Sequence, residues 1–209
     1  MVFYCHNSNY YYQHHKMTDD LKRLNELADT FNCQTIAKEV LHDPRFEIWT
    51  GASKPHQHHY GKGGLARHVL EVVELCLMNN IYFVKLGKGV DPKKLFLAAL
   101  FHDAGKMWDY KPLDGEYKEW TVSDHRFLIH HISRSGLIWC ETAAREGWIE
   151  EDIDEVWHCI LSHHGTKEWG SPVQPRNRMA WLLHLSDSIS ARIDDCYKRI
   201  PFSNDPLVK

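Results

Sequence analysis

The sequence predicts an all-α domain of about six or more helices. Three observations predict it. Apolar residues recur at helical spacing in segments too long for strands. Cap and breaker residues fall at the ends of those segments. No repeat, low-complexity tract, long linker or convincing set of alternating strands interrupts them.

The elements follow in chain order. Residues 1–16 are polar and aromatic without helical period and read as a disordered arm, which makes Met17 a candidate true start. Thr18-Asp19-Asp20 then precedes Leu21, Leu24, Leu27 and Phe31, spaced as one helical face. A short helix is expected over 34–43, ended by Pro44. Residues 50–64 are rich in Gly, Pro, Lys and His and read as a loop. Residues 65–80 are strongly apolar and helical in period. Residues 91–104 form another buried helix, with Asp91 as N-cap, Pro92 in the first turn and Gly105 as C-terminal cap. Residues 106–122 carry Lys-Pro and Asp-Gly turn signals and read as an exposed loop or hairpin. Further helices are expected at 124–146, 151–164 and 177–197, with a Gly/Pro-punctuated loop over 165–176. The stretch 201–209 reads as a loosely attached tail, leaving 17–200 as a single domain.

Bulk numbers narrow the function. The chain of 209 residues fits one domain, and 43% hydrophobic content is enough for a core. A net charge of -3 gives no basic field that could hold long nucleic acid by phosphate neutralisation alone. No apolar run approaches the roughly 20 residues that cross a bilayer, so no membrane partner is expected. The six cysteines form no CxxC, which argues against a cysteine-type zinc site. With no signal peptide they read as free thiols in a reducing cytoplasm. The oligomeric state stays open.

The outlier is histidine, at sixteen residues. Neutral imidazole is the commonest metal ligand. His68 falls inside the 65–80 helix, and His102-Asp103 close the 91–104 helix. His130-His131 lie within 124–146, His163-His164 close 151–164, and Asp187 is embedded in the last helix. Polar groups amid apolar neighbours are costly unless paired or ligated. Five helices each bringing one point to a shared metal site in the bundle core. Adjacent helical residues diverge by about 100°. His102 and Asp103 can therefore serve one site only if the ion sits over the helix end, or if Asp103 bridges two ions.

The segments GGLARHVLEVV (63–73), ALFHDAGK (99–106), ILSHHG (160–165) and LHLSDSISAR (183–192) together resemble the HD superfamily of metal-dependent phosphohydrolases. KPHQHHYGKGGLARH (54–68) and HHGTKEWGSPVQP (163–175) are similar to the HD domain of the YhaM-type 3′-to-5′ exoribonucleases. The resemblance covers roughly residues 45–197 and implies an HD-domain helical bundle. It also implies that His68, His102, Asp103 and Asp187 hold a first metal. His131, His163 and His164 would add a second, with Asp103 bridging. His131 is preferred to His130 on the pattern that follows it, although the branch often has Gly where this chain has Ser135. Imidazole and carboxylate ligands suit Mn, Fe, Co, Ni or Zn. Two such ions about 4 Å apart suit an in-line displacement at phosphorus.

The resemblance further implies that Lys106 contacts substrate phosphate. A solvated lysine at a helix C-terminus is the plain alternative. His58, His59 and Lys62 lie in the glycine-rich loop and either bind substrate phosphate or decorate a surface. Arg192 could meet a phosphate or form an ordinary salt bridge. His125 and His130 receive no assignment. Trp108, Tyr110, Tyr117 and Trp169 flank the expected mouth and could stack bases or simply pack.

The expected activity is a phosphodiesterase using metal-activated water, with Asp103 and Lys106 as its catalytic residues. Its substrate would be a nucleic-acid 3′ end, a short oligonucleotide or a cyclic nucleotide. The YhaM-type enzymes carry an N-terminal OB-fold. The roughly 45 residues before the resemblance here read as helical, which favours small substrates or a recruiting partner. Two alternatives stay open. One is a nucleotidase or dNTP phosphohydrolase, disfavoured by AlaGlyLysMet after the HisAsp pair. The other is a non-catalytic, metal-stabilised binding domain.

Overall fold

The computed structural model describes residues 18–199. The expectations placed on 1–16, on Met17 and on 201–209 lie outside them. The elements in order are α1 (Asp19–Thr30), α2 (Gln34–Leu41), α3 (Gly64–Lys85), α4 (Pro92–Phe101) and α5 (Lys106–Asp109). A two-stranded antiparallel sheet follows, β1 (Tyr110–Pro112) and β2 (Trp120–Val122), pairing Tyr110 with Val122 and Pro112 with Trp120. Then come α6 (His125–Leu128), α7 (His131–Arg145), α8 (Glu150–Ser162), a 3-10 turn at Lys167–Trp169, and α9 (Arg178–Arg199). The all-α class holds, with the hairpin its one exception among the described residues.

Helix α4 is the axis of the bundle. Every residue from Leu95 to Phe101 is buried, and α3, α8 and α9 pack around it. A helix apolar on all sides has no face to give to solvent, so it takes the centre. Asp91 starts it, accepting from the backbone N–H groups of Lys93 at 2.8 Å and Lys94 at 3.1 Å. Lys94 then leans out to Glu155 on α8 at 2.9 Å. Helix α1 begins at its Thr18 cap and buries Leu21, Leu24 and Leu27. Phe31 beyond it meets Phe96 at 5.4 Å between ring centroids. Trp139 of α7 closes the far side against Phe101. No helix of the described residues is long and apolar enough to cross a membrane.

Three local differences from the sequence reading all fall near the histidines. The continuous helix expected over 124–146 is broken: His130 adopts φ 70°, and α7 starts afresh at His131. The stretch 106–122 is not one exposed loop, because α5 buries Met107 and Asp109 before the hairpin starts. Gly105 is not a left-handed helix cap. Its φ of -63° is ordinary right-handed backbone. The glycine is required by proximity instead, since a Cβ there would lie 2.3 Å from the His131 carbonyl oxygen.

Candidate metal centre

Five helices deliver the predicted ligands to one point. His68 lies one turn into α3, on its buried face. Helix α4 stops at Phe101, and residues 102–105 turn over its end. His102 and Asp103 thus lie beyond the last helical residue, over the helix end, which is where both can serve one site. His131 opens α7, His163 follows the last residue of α8, and Asp187 lies within α9.

The carboxylate of Asp103 divides the site. Its Oδ2 faces His68 Nε2 at 3.2 Å and His102 Nε2 at 3.3 Å. Asp187 Oδ1 joins this half, 3.1 Å from His68 Nε2 and 3.8 Å from His102 Nε2. The other oxygen, Oδ1, faces His131 Nε2 at 3.5 Å and His163 Nε2 at 3.8 Å. One ligand atom each from His131, His163 and His164 lies within 4.8 Å of the others, and the same holds for His68, His102 and Asp187. The structure thus brings together all seven residues expected to hold metal.

The tautomers follow from what sits behind each ring. Nδ1 of His102 is 2.6 Å from the Ala99 carbonyl, Nδ1 of His163 2.6 Å from that of Ile160, and Nδ1 of His164 2.9 Å from that of Trp169. A carbonyl only accepts, so each Nδ1 carries the proton. His131 Nδ1 donates to Asp109 Oδ2 at 3.0 Å. The Ser190 hydroxyl gives its proton to Glu71 at 2.8 Å, so its oxygen accepts from His68 Nδ1 at 3.1 Å. All five rings therefore aim an Nε2 lone pair inward, the orientation that outer hydrogen bonds impose on metal-ligating histidines.

That arrangement tests whether a metal fits. Asp103 Oδ1, His131 Nε2 and His163 Nε2 are buried with no hydrogen-bond partner. Lone pairs converging without protons between them repel, and buried unpaired acceptors are expensive. A cation satisfies all three at once. Electrostatics has prepared them. Burial pushes His131 down to about 3 and His163 well below the ordinary imidazole value, so both stay neutral, the form that can ligate a metal. Burial opposes the charged form of Asp103, yet the Lys106 ammonium beside it holds its carboxyl well below the usual range. Lys106 is not a solvated lysine: it is buried, with Nζ 2.6 Å from Asp103 Oδ2.

The site opens into a cleft of about 340 Å³ lined by His58, Lys106, Tyr110, Arg126, His131, His164, Trp169, Asp187 and Arg192, among others. Of the expected substrate contacts, His58, Lys106 and Arg192 line it. His59 is instead buried behind it, with Nε2 2.9 Å from Glu71. Lys62 is exposed and does not line it, because the loop turns away at Gly61 and Gly63, both at positive φ. Among the expected aromatics, Trp108 is covered by Arg45, 4.0 Å from its ring centroid. Tyr117 packs towards Trp120. Tyr110 and Trp169 reach the cleft.

The sequence reading missed four residues. Arg126 lines the cleft and donates to the Tyr110 hydroxyl at 2.9 Å. Glu71 and Ser190 hold His68 from behind. Asp109 holds His131 twice, at Nδ1 and at its backbone N–H, 3.1 Å away, and also accepts from His125 at 2.7 Å. The available signal was an acid one turn beyond Lys106 in a short apolar run, which a solvated hairpin does not need. Asp109→Ala should weaken binding of one Mn²⁺ by about 10–100-fold and leave the other near wild type. Calorimetric titration would separate the two, and equal weakening of both would show general collapse instead.

The family model for the HD domain matches residues 65–192. The 3′-5′ exoribonuclease YhaM of Bacillus pumilus (strain SAFR-032) is 32% identical over 166 residues, covering 78% of this chain and 49% of that protein. The 3′-5′ exoribonuclease YhaM of Bacillus subtilis (strain 168) is 31% identical over 186 residues, covering 81% and 55%. The chain thus spans about half the length of these curated relatives. No solved structure matches it. HD domains bind divalent metals, and the clusters here have the donors for it. With the HisAsp pair in place and its partners gathered around it, the chain belongs to the HD domain family.

Proposed function

We propose that this chain is a metal-dependent phosphodiesterase acting on the 3′ end of a single-stranded nucleic acid, on a short oligonucleotide or on a cyclic nucleotide. The observation that carries the reading is the division of Asp103, one oxygen toward each half of the ligand set. His68, His102, Asp103 and Asp187 would hold one ion, and Asp103, His131, His163 and His164 the other. A donor set of imidazoles and carboxylates suits Mn, Fe, Co, Ni or Zn. When bound, such an ion pair supplies Lewis-acid polarisation of the phosphoryl group and makes water acidic enough to attack near neutral pH.

The remaining work falls to side chains of the cleft. Lys106, Arg126 and Arg192 bring positive charge to its wall, where it would offset the developing charge on phosphorus-bound oxygens. His58 is held neutral, burial pushing it down to about 3, so it would offer a hydrogen bond rather than a charge. With a net charge of -3, grip on substrate would be local to these residues. The names of the YhaM relatives favour a nucleic-acid 3′ end.

The test uses the purified chain with Mn²⁺. It should hydrolyse bis-p-nitrophenyl phosphate and short single-stranded oligonucleotides, stop on adding EDTA, and carry two ions per chain. A clean value of one ion would remove the second half of the site. Metal-loaded protein inert on oligonucleotides, cyclic nucleotides and the aryl diester alike would remove the activity.

A further inference from the structure

We infer that Trp169 is a base-stacking subsite, the platform for the base of the nucleotide whose phosphodiester lies in the cleft. The inference deepens the phosphodiesterase reading and rests on it.

Trp169 lines the metal cleft yet stays 56% exposed. The other aromatic lining the cleft, Tyr110, is only 5% exposed and spends its hydroxyl on Arg126. Trp169 is the open ring among the described residues of the cleft wall. Its position is also fixed. The 3-10 turn that carries it is bracketed by Gly165 at φ 89° and Gly170 at φ 97°, conformations an L side chain rarely adopts. The Trp169 carbonyl accepts the Nδ1 proton of His164 at 2.9 Å, so the turn that carries the indole is tied to a candidate metal ligand. The Arg192 guanidinium lies 5.6 Å from the ring centroid, and His184 stands 6.2 Å away, tilted by 34°. With the guanidinium over the indole, a base stacking on the exposed part of the ring would bring its phosphate to the same guanidinium.

The cleft, at about 340 Å³, sits at the lower end of the roughly 300–1,000 Å³ range of small-molecule sites. That space suits one nucleotide. Stacking uses the π face that every base shows, so the subsite would accept all four bases. It requires a base free of its partner, so it would favour single strands over paired ends. The substrate class is therefore a single-stranded terminus of mixed sequence.

The test compares a short single-stranded oligonucleotide with the same strand lacking its 3′-terminal base, using the Mn²⁺-loaded chain. Trp169→Ala should lower kcat/KM on the intact strand about ten- to a hundredfold, mostly through KM. Wild type should lose a similar factor on the abasic strand, and Trp169→Ala should lose nothing further there. Trp169→Phe should recover most of the loss. The substitution keeps the backbone carbonyl, so the His164 hydrogen bond survives it. Equal losses on intact and abasic strands would mean that Trp169 acts only through His164, and would overturn the subsite. Unchanged kinetics on both strands would overturn it too. Binding of phosphorothioate versions of the two strands gives a readout without turnover. If wild type cleaves nothing but still prefers the intact strand, the phosphodiesterase reading fails and the subsite stands.

Discussion

Asp103→Asn should lower turnover by about a thousandfold or more while leaving the helical content unchanged. The substitution preserves shape and removes one charge from the residue on which both halves of the centre converge. As aspartate, the side chain offers Oδ2 to His68 and His102 and Oδ1 to His131 and His163. As asparagine it has one oxygen left, and an N–H₂ group points at lone pairs on the other side. A thousandfold loss corresponds to about 4 kcal/mol of barrier. The fold has reason to survive. Lys106 loses its nearest partner, but Asp187 also favours its charge, and the apolar packing around α4 is untouched. Steady-state rates on bis-p-nitrophenyl phosphate, metal content and circular dichroism decide the matter together. Turnover within tenfold of wild type, with metal retained, would remove Asp103 from the centre of the mechanism.

How much of this could be read from the sequence depends on the range of the interaction. Helices were legible because their cause is local. Asp91 and Pro92 announce α4, and its unbroken apolar run announces that it is central. The candidate ligands were legible because an imidazole or a carboxylate recurred in each of five apolar helices, which packing alone does not explain. The supporting groups were not legible, because their cause is distant. Glu71 and Ser190 meet across 119 residues, and Asp109 meets His131 across 22. No periodicity connects such positions. The break at His130 was hidden for a related reason. A histidine at φ 70° carries no turn signal, and it is sustained by its neighbours, including the Asp109 contacts that anchor His131. In the loop before α3, His58 and His59 were indistinguishable by type. Only the fold turns one toward the cleft and the other onto Glu71.

Gly105→Ala should lower the melting temperature by a few degrees, up to roughly 10 °C, and loosen one half of the metal centre. At φ -63° alanine is intrinsically the better residue, so conformational preference alone would favour the variant by about 0.5–1 kcal/mol. Contact decides the sign. The added Cβ would lie 2.3 Å from the His131 carbonyl oxygen, 2.8 Å from its Cα and 2.9 Å from Arg134 Cβ. Two of these are backbone atoms, and no rotamer change can move them aside. Overpacking of this kind costs about 1–3 kcal/mol, occasionally more, and for a domain of this size each kcal/mol is worth about 2–4 °C. Relief requires the first turn of α7 to back away, stretching the Gly105 N–H bond to Ser135 Oγ, now 2.9 Å. The same movement carries His131 away from Asp103 Oδ1. Binding of an ion held by Asp103, His131, His163 and His164, as proposed, should therefore weaken, and binding at His68, His102 and Asp187 should not. His131→Ala separates the two effects. It should lose the same ion with a smaller change in melting temperature, because it removes a ligand without forcing two backbones apart. If Gly105→Ala melts like wild type and binds both ions, the close approach of these two turns does not set the geometry of the centre.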